Sequence, residues 1–329
     1  MRKAFTLLCL LAGLALFAWL LWLSDLDALV YEVIKVGAAG FGVVLAIYAL
    51  EFLCDTLSWQ LTIAGLPVTP RWTARLYLVR LTGEAYNVVT PLGGMGGEPV
   101  KALILNRHHA LPYAQSVASL VLAKTANVSA LLVFLAVGFA LMLGDARIGT
   151  QPRALAGAGF AALALGVAGF FLVQRLGISS RVAARLGTTR PRLARVLVGM
   201  QEFDRLLLDF YTSAPLRLAL VLALAIVNWL LGAAAVWATL HFMGRPASFA
   251  DAWVIEAMTQ LVRAGTFFIP ASLGAQDGAI MLVMRVMTGD ALAGLALALV
   301  RRARELIWVL AGLLVSVPLL GRARATPRR

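Results

Sequence analysis

The sequence predicts an all-α polytopic membrane protein with about six transmembrane helices and two re-entrant helical hairpins, arranged as two inverted repeats. Of the 329 residues, 61% are hydrophobic and 14% are charged, whereas soluble domains carry about 25% charged residues. Apolar runs of about 20 residues, the length that crosses a bilayer core, recur along the chain. Two stretches rich in charge, proline and glycine interrupt these runs. We therefore expect a single transmembrane domain over residues 1–329.

The positions of the basic residues behind the net charge of +13 indicate how the protein is oriented in the membrane. Nucleic-acid binding is not expected. Basic residues cluster at Arg2 and Lys3, between Arg175 and Arg217, and near the C-terminus. Such clusters beside apolar runs are typical of cytoplasmic segments. We expect a bacterial inner-membrane protein with both termini in the cytoplasm. Its cytoplasmic segments would include a basic linker and a basic tail, at residues 174–213 and 322–329.

The first 35 residues are predicted to form a helix and an outer loop. The apolar run from about Ala4 to Leu23 is long, and no clear cleavage site follows it, so we expect an uncleaved membrane helix. The acidic residues after it, Asp25, Asp27 and Glu32, favour the outer side. Only two cysteines and three histidines are present, and they lack ligand spacing, so no metal or other cofactor is expected.

Repeat 1 is assigned to residues 36–173 and contains a charged stretch at residues 71–107. This stretch includes Arg80, Glu84 and Lys101, and one such charge at the centre of an isolated helix costs about 2.5–3.5 kcal/mol. Its remaining residues are too apolar for an ordinary loop. Two short helices that meet at a Pro/Gly break and are covered by protein fit this pattern. The flanking helices are predicted at about 36–64, 112–143 and 153–173.

Repeat 2 is assigned to residues 214–321 and has the same organisation. Its charged stretch, residues 249–288, predicts the second re-entrant hairpin. The separation of Pro91 from Pro270 (270 − 91) and of Glu98 from Asp277 (277 − 98) is 179 residues in both cases. One hairpin would enter from the cytoplasm and the other from outside, as in transporters with inverted repeats. Helices are predicted at about 215–242 and 291–320, and hairpin breaks at Pro91, Gly94, Gly97, Pro270 and Gly274.

Several arginines near the middle of the last apolar run require an explanation. Arg301, Arg304 and Glu305 share one helical face, so a local ion pair is one interpretation. The other is a water-accessible cationic cavity that receives an anionic group such as a lipid phosphate. One carboxylate cannot neutralise three arginines, which favours the cavity. The candidate substrate-binding residues are Arg80, Lys101, Lys124, Arg263, Arg301, Arg302 and Arg304.

The acidic and amide residues near these cations are candidates for gating or ion pairing. Glu98 and Asp277 follow the predicted breaks, where they can cap the half-helices or pair with arginines. Glu51 and Asp55 lie one turn apart, which is costly unless one is protonated or a cation intervenes. These two are candidates for ion coupling. The gating or ion-pair candidates are Glu84, Glu98, Glu256, Gln276, Asp277 and Glu305.

The segments TPLGGMGGEPVKALIL, QLVRAGTFFIPASLGAQDGAIML and LALVRRARELIWVLAGLL resemble the lysylphosphatidylglycerol synthase transmembrane-domain family. The chain is similar in particular to stand-alone members associated with hopanoid biosynthesis (HpnL-like). The resemblance implies a flippase-like fold, and it implies functional positions at Gly97, Glu98, Arg263, Pro270, Gly274, Gln276, Asp277, Arg301, Arg302 and Arg304. Asp277 stands where a glutamate is usual. No aminoacyl-transferring domain is expected after the last helix.

Taken together, these features predict a lipid transporter rather than an enzyme. Its substrate would be a lipid with a polar or anionic headgroup, such as a phospholipid, a hopanoid or a polyprenyl-linked precursor. Asp25-x-Asp27 leaves open a polyprenyl-dependent glycosyltransferase-like enzyme. The basic linker leaves open a non-transporting partner of a lipid-modifying enzyme, and a lipid-biosynthesis enzyme is the candidate protein partner. The sequence does not determine the oligomeric state.

Overall fold

The computed structural model describes residues 2–89, 96–175 and 215–321, and within these ranges every regular element is helical. The predicted breaks Pro91 and Gly94, nearly all of the basic linker and the basic tail lie outside the described residues. The helices are α1 (Arg2–Trp22), α2 (Leu26–Lys35), α3 (Gly37–Thr62), α4 (Pro70–Val89), α5 (Gly97–His109), α6 (Tyr113–Gly144), α7 (Thr150–Arg175), α8 (Pro215–Phe242), α9 (Phe249–Gly265), a 3₁₀ turn (Pro270–Ser272), α10 (Ala275–Thr288) and α11 (Ala291–Gly321).

The prediction of a multi-pass helical membrane protein is confirmed. Five helices in the described part of the chain are long and apolar enough to span a bilayer, namely α3, α6, α7, α8 and α11. A sixth span is formed if α1 and α2 are counted together, although they are bent by 95° at their junction. The side of the membrane on which each terminus lies stays a prediction.

The segment expected to be an outer loop contains the short helix α2. Asp25 causes this helix to start where it does, because its side chain accepts hydrogen bonds from the backbone N–H groups of Asp27 and Ala28. An aspartate at the N-cap satisfies donors that have no partner within the helix. The Asp25 carboxylate is therefore occupied by a structural contact.

The first charged stretch contains two short helices, α4 and α5, which we call the first hairpin. Its two ends are close together, since the rings of Trp72 and His109 are 5.2 Å apart. Near its interior end the backbone N–H of Gly97 donates to the Asn87 side chain at 2.7 Å. A side chain at Gly97 would collide with the backbone of Gly83. The glycines therefore permit α4 and α5 to approach closely.

The second charged stretch forms α9, the 3₁₀ turn and α10, which we call the second hairpin. Ser248 begins α9 with a capping box to Asp251. The segments before and after this hairpin are joined by an ion pair of 2.7 Å between Arg245 and Asp290. Gly274 has a φ of +75°, a conformation that glycine adopts without strain, and it starts α10.

Four consecutive helices recur at the spacing that the sequence predicted. Adding 179 to the bounds of α3, α4, α5 and α6 gives 216–241, 249–268, 276–288 and 292–323, each within three residues of α8, α9, α10 and α11. The left-handed residues that end α5 and α10, Ala110 and Gly289, are also separated by 179 (289 − 110). Two sets of four helices, α3–α6 and α8–α11, which we call the first and second halves, therefore have similar lengths and spacing.

The two halves pack against each other reciprocally. Helix α3 packs along α8, while α4 packs against α11 and α9 packs against α6. Two glycines permit these crossings: a Cβ on Gly312 would overlap the carbonyl group of Leu81, and one on Gly138 would lie 2.5 Å from the Ala257 side chain. Each hairpin thus lies against the long helix of the other half. This arrangement brings charged residues from seven helices together.

Candidate functional site

The charged residues inside the helical bundle form one network, which we call the central charge network. It contains seven cationic side chains and seven carboxylates, and the formal charges balance. The members are Glu51 and Asp55 on α3, Arg80 and Glu84 on α4, Glu98 and Lys101 on α5, Lys124 on α6, Glu256 and Arg263 on α9, Asp277 on α10, and Arg301, Arg302, Arg304 and Glu305 on α11.

Arg302 holds the break of the second hairpin. Its guanidinium makes two parallel hydrogen bonds of 2.9 Å to Asp277 and one of 2.8 Å to Glu305. It also donates to the carbonyl oxygen of Ala271 at 3.0 Å. Asp277 accepts in addition from the Gly274 backbone N–H at 2.8 Å. Asp277 therefore caps the half-helix and pairs with an arginine at the same time.

Arg301 is neutralised from two helices. Its Nη1 lies 2.7 Å from Glu256, and its Nε lies 3.5 Å from Glu305. The amide of Gln260 donates to Glu256 at 2.6 Å, so this carboxylate has both a charged and a neutral donor. Buried charges are tolerated when they are paired and hydrogen-bonded in this way.

Arg304 is held more loosely than the other two arginines. Its guanidinium lies 4.0 Å from the centre of the Tyr48 ring. Its closest carboxylate is Glu51, at 3.8 Å, a distance at which the ion pair has no hydrogen bond. Both Arg304 Nε and Glu51 Oε1 are buried without a hydrogen-bond partner within the described ranges.

The first half contributes two further ion pairs. Arg80 pairs with Asp55 and lies over the Phe52 ring, although Glu84 is four residues away on the same helix. Glu98 pairs with Lys101 at 2.9 Å. Glu51 and Asp55 lie one turn apart, but each faces its own arginine. Arg304 of α11 is closest to Glu51, and Arg80 of α4 pairs with Asp55. Glu84 accepts a hydrogen bond from the Asn87 amide at 3.2 Å.

Two cations of the network remain open. Lys124 and Arg263 are exposed, and neither makes a salt bridge within the parts of the chain that are described. Both lie within electrostatic range of Glu84, and Lys124 is also within range of Glu98 and Lys101. The network therefore has two regions. In the sealed region, Arg301 and Arg302 are buried and paired with carboxylates. In the open region, Lys124 and Arg263 are exposed and lack a salt bridge among the described residues.

A small cavity lies beside the sealed region. Its volume of about 20 Å³ has room for one or two water molecules. Its polar lining consists of Thr239, Glu256, Thr259, Arg301 and Arg304, and its other walls are mainly apolar. No cluster of three or more His, Cys, Asp or Glu side chains within the described residues could hold a metal ion.

From the sequence, one carboxylate, Glu305, was counted against three arginines of α11, but the structure supplies others. Arg301 and Arg302, which were expected to bind substrate, are paired with protein carboxylates instead. Partners come from α3, α9 and α10, whose positions in space a single sequence does not show. Gln276 is also buried, but its Nε2 has no hydrogen-bond partner in the described chain. The sequence reasoning missed Tyr48, Asn87 and Gln260. Tyr48 precedes Glu51 by three residues and Gln260 follows Glu256 by four, so helical spacing could have identified both.

Comparisons with known proteins agree with this architecture. No curated protein and no solved structure matches the chain. A family described as "Lysylphosphatidylglycerol synthase TM region" matches residues 10–312, a range that includes both hairpins and the charged part of α11. The chain therefore belongs to the lysylphosphatidylglycerol synthase TM region family.

Proposed function

We propose that this protein moves a lipid with a polar or anionic headgroup across the membrane. Membership of its family relates the chain to lipid modification or lipid flipping. The observation that carries the more specific proposal is the open region of the central charge network. Lys124 and Arg263 are exposed cations on α6 and α9, and no described carboxylate forms a salt bridge with them.

A phosphate-bearing headgroup suits this region chemically. Lysine and arginine bind phosphate oxygens through charge-assisted hydrogen bonds. Lys124 is the twelfth residue of the 32-residue helix α6, or about 17 Å from its start at 1.5 Å per residue. The whole helix is about 48 Å long at that rise, so with α6 centred on a bilayer core of about 30 Å, Lys124 lies about 8 Å inside the core. A headgroup bound there would have left the interface while its acyl chains remain in lipid.

The acidic residues of the open region broaden the range of acceptable headgroups. Glu84 and Glu98 are both within electrostatic range of Lys124. A headgroup that carries an amine as well as a phosphate can therefore find a partner for each charge. A hopanoid or polyprenyl-linked precursor remains a candidate by resemblance alone.

We also propose that the two halves form inverted repeats with re-entrant hairpins. Support comes from the contacts at the hairpin ends. The ends of the first hairpin meet at Trp72 and His109, beside the end of α3 and the start of α6. The segments flanking the second hairpin meet at Arg245 and Asp290, beside the end of α8 and the start of α11.

Lipid movement can be measured with purified protein in liposomes that contain a fluorescent phosphatidylglycerol. Quenching by dithionite reports how fast labelled lipid leaves the inner leaflet. We expect the wild-type protein to move the lipid, and the double variant Lys124→Ala, Arg263→Ala to move it at least about tenfold more slowly, because two charge-assisted contacts are lost.

The matched control is Arg285→Ala, which removes an exposed cation near the end of α10. We expect this variant to retain wild-type transport. If the wild-type protein moves no fluorescent lipid with an anionic, zwitterionic or polyprenyl-linked headgroup, under any imposed proton or sodium gradient, then the proposed function is wrong.

A further inference from the structure

Glu51 has the weakest partner among the paired carboxylates of the central charge network. Asp277, Glu256 and Glu98 each have a cation within 2.9 Å. Glu51 lies 3.8 Å from Arg304, and its Oε1 is buried without a hydrogen-bond partner in the described ranges. A buried carboxylate without donors is costly in its charged form. Among the paired carboxylates, Glu51 is therefore the one that loses least when it accepts a proton.

The surroundings of Glu51 leave Arg304 as its main counter-charge. Helix α8, which packs along α3, carries its titratable residues Arg217 and His241 only near its two ends. The titratable groups that face Glu51 from the other helices, or lie near it on its own helix, are Tyr48, Cys54, Asp55, Arg80, Glu84, Glu256, Arg301, Arg304 and Glu305. Arg80 and Arg301 already bind other carboxylates.

The small cavity reaches the cation that faces Glu51. Arg304 lines the small cavity that has room for one or two water molecules, and the same residue is the cation closest to Glu51. The Arg304 Nε and the Arg301 Nε are buried without hydrogen-bond partners in the described residues, so both can donate to such a water. The cavity thus provides a place for a water molecule next to Arg304, between walls that are mainly apolar.

Protonation of Glu51 would change the charge of the whole network. With all fourteen groups ionised, seven positive and seven negative charges cancel. A neutral Glu51 leaves one positive charge uncompensated, and that charge lies on Arg304. An anionic headgroup is then attracted to the network, and its departure favours release of the proton. The two events are linked thermodynamically, as any two ligands of one protein are.

We propose that Glu51 is the proton-coupling residue, which takes up one proton from water when the network binds an anionic phospholipid headgroup and returns it when the headgroup leaves. This inference rests on the proposed function. The step converts a carboxylate and a proton into a carboxylic acid, and no other reactant takes part.

Isothermal titration calorimetry tests the linkage directly. Dihexanoyl phosphatidylglycerol is titrated into the purified full-length protein in two buffers with different ionisation enthalpies, which gives the number of protons taken up. We expect about one proton per lipid bound, and an affinity that falls about tenfold per pH unit in the alkaline range. Glu51→Gln should bind the lipid without proton uptake and without this pH dependence.

Glu32→Gln is the matched control, because Glu32 is a buried glutamate that pairs with Lys35 and Arg245 outside the network. This variant should keep the proton uptake. Lipid binding without proton uptake in the wild-type protein, or uptake that persists in Glu51→Gln, would overturn the inference and leave the proposed function intact.

Infrared difference spectroscopy tests proton exchange at Glu51 independently of lipid binding, so the inference can be judged apart from the proposed function. If dihexanoyl phosphatidylglycerol does not bind, the liposome assay decides the proposed function, and a pH jump still reports whether Glu51 exchanges a proton. We expect a protonated-carboxyl band in the wild-type protein that is absent from Glu51→Gln. The band should be shifted in Glu51→Asp, and this variant replaces Glu51→Gln in the test if the glutamine variant does not fold. Identical bands in the wild-type protein and both variants would overturn the inference.

Discussion

The ion pair between Arg302 and Asp277 is predicted to be the strongest single tie between α11 and the second hairpin. Its side chains are 10% and 1% exposed, and two hydrogen bonds of 2.9 Å join them. Replacing Arg302 by Met leaves the Asp277 carboxylate buried without a counter-charge and frees the carbonyl group of Ala271. Breaking a buried pair on one side costs about 3–5 kcal/mol. We expect a loss of that size in the free energy of unfolding.

A double-mutant cycle shows how much of this loss belongs to the pair. Asp277→Asn removes the charge and keeps a side-chain oxygen that can accept from the Gly274 backbone N–H. The combination with Arg302→Met should therefore cost about 2 kcal/mol less than the sum of the two single variants. Unfolding can be followed by steric trapping in bicelles, with Arg285→Met as the control for loss of an exposed arginine. A loss below about 1 kcal/mol for Arg302→Met, or additive effects, would refute the reasoning.

Three further predictions concern the packing and the loop between α6 and α7. Gly312→Val should destabilise the protein by about 1–3 kcal/mol in a thermal-unfolding assay, because the new side chain would collide with the Leu81 carbonyl group of α4. Gly274→Ala should cost about 1–3 kcal/mol in the same assay, because alanine is strained at a φ of +75°. Asp145→Asn should lower the unfolding temperature at neutral pH, because hydrogen bonds from the Arg147 side chain hold the pKa of Asp145 below its ordinary value.

The pH dependence of the last variant follows from the sign of the shift. A carboxylate whose pKa is lowered in the folded state stabilises the protein fully above its unfolded pKa, near 3.9. This contribution is lost as the pH falls through the folded pKa. The difference between wild type and Asp145→Asn should therefore shrink as the pH falls below about 4 and vanish below the lowered folded pKa. A difference that persists in acid would contradict the assignment.

Simple controls decide the two glycine predictions. Gly42 and Gly166 lie on membrane-spanning helices where an added Cβ meets nothing within 4 Å. Substitution by alanine at either position should leave the unfolding temperature unchanged or raise it slightly. If Gly312→Val and Gly274→Ala behave like these controls, then neither the close approach at Gly312 nor the left-handed backbone at Gly274 requires a glycine.

Much of the fold was predictable because membrane helices carry their boundaries in the sequence. The apolar runs located α3, α6, α8 and α11 to within two residues, since the bilayer fixes their length. The offset of 179 residues was visible from two prolines and two acids. The helix α2 was missed because its N-cap, Asp25, also fits an acidic outer loop.

The charged residues of the site could be predicted from the sequence, but their ion-pair partners could not. Deeply placed charges are rare in membrane helices, so the residues of the network were identifiable one by one. Their partners depend on how α4 crosses α11 and how α6 crosses α9, and spacing along one helix does not report those crossings. Arg80 illustrates the limit: Glu84 is four residues away in sequence, yet Asp55 on α3 is the partner.

The central claim is that the charge network is open to a headgroup at Lys124 and Arg263 and sealed at Arg301 and Arg302. Its most direct test is cysteine labelling in liposomes, in a background without Cys9 and Cys54. Single cysteines at positions 124 and 263 should react with a water-soluble, membrane-impermeant maleimide, and a cysteine at the fully buried Ala298 should not. Protection of positions 124 and 263 from the water-soluble reagent, together with reaction with a lipid-soluble maleimide, would show that both face the acyl chains and would contradict the account.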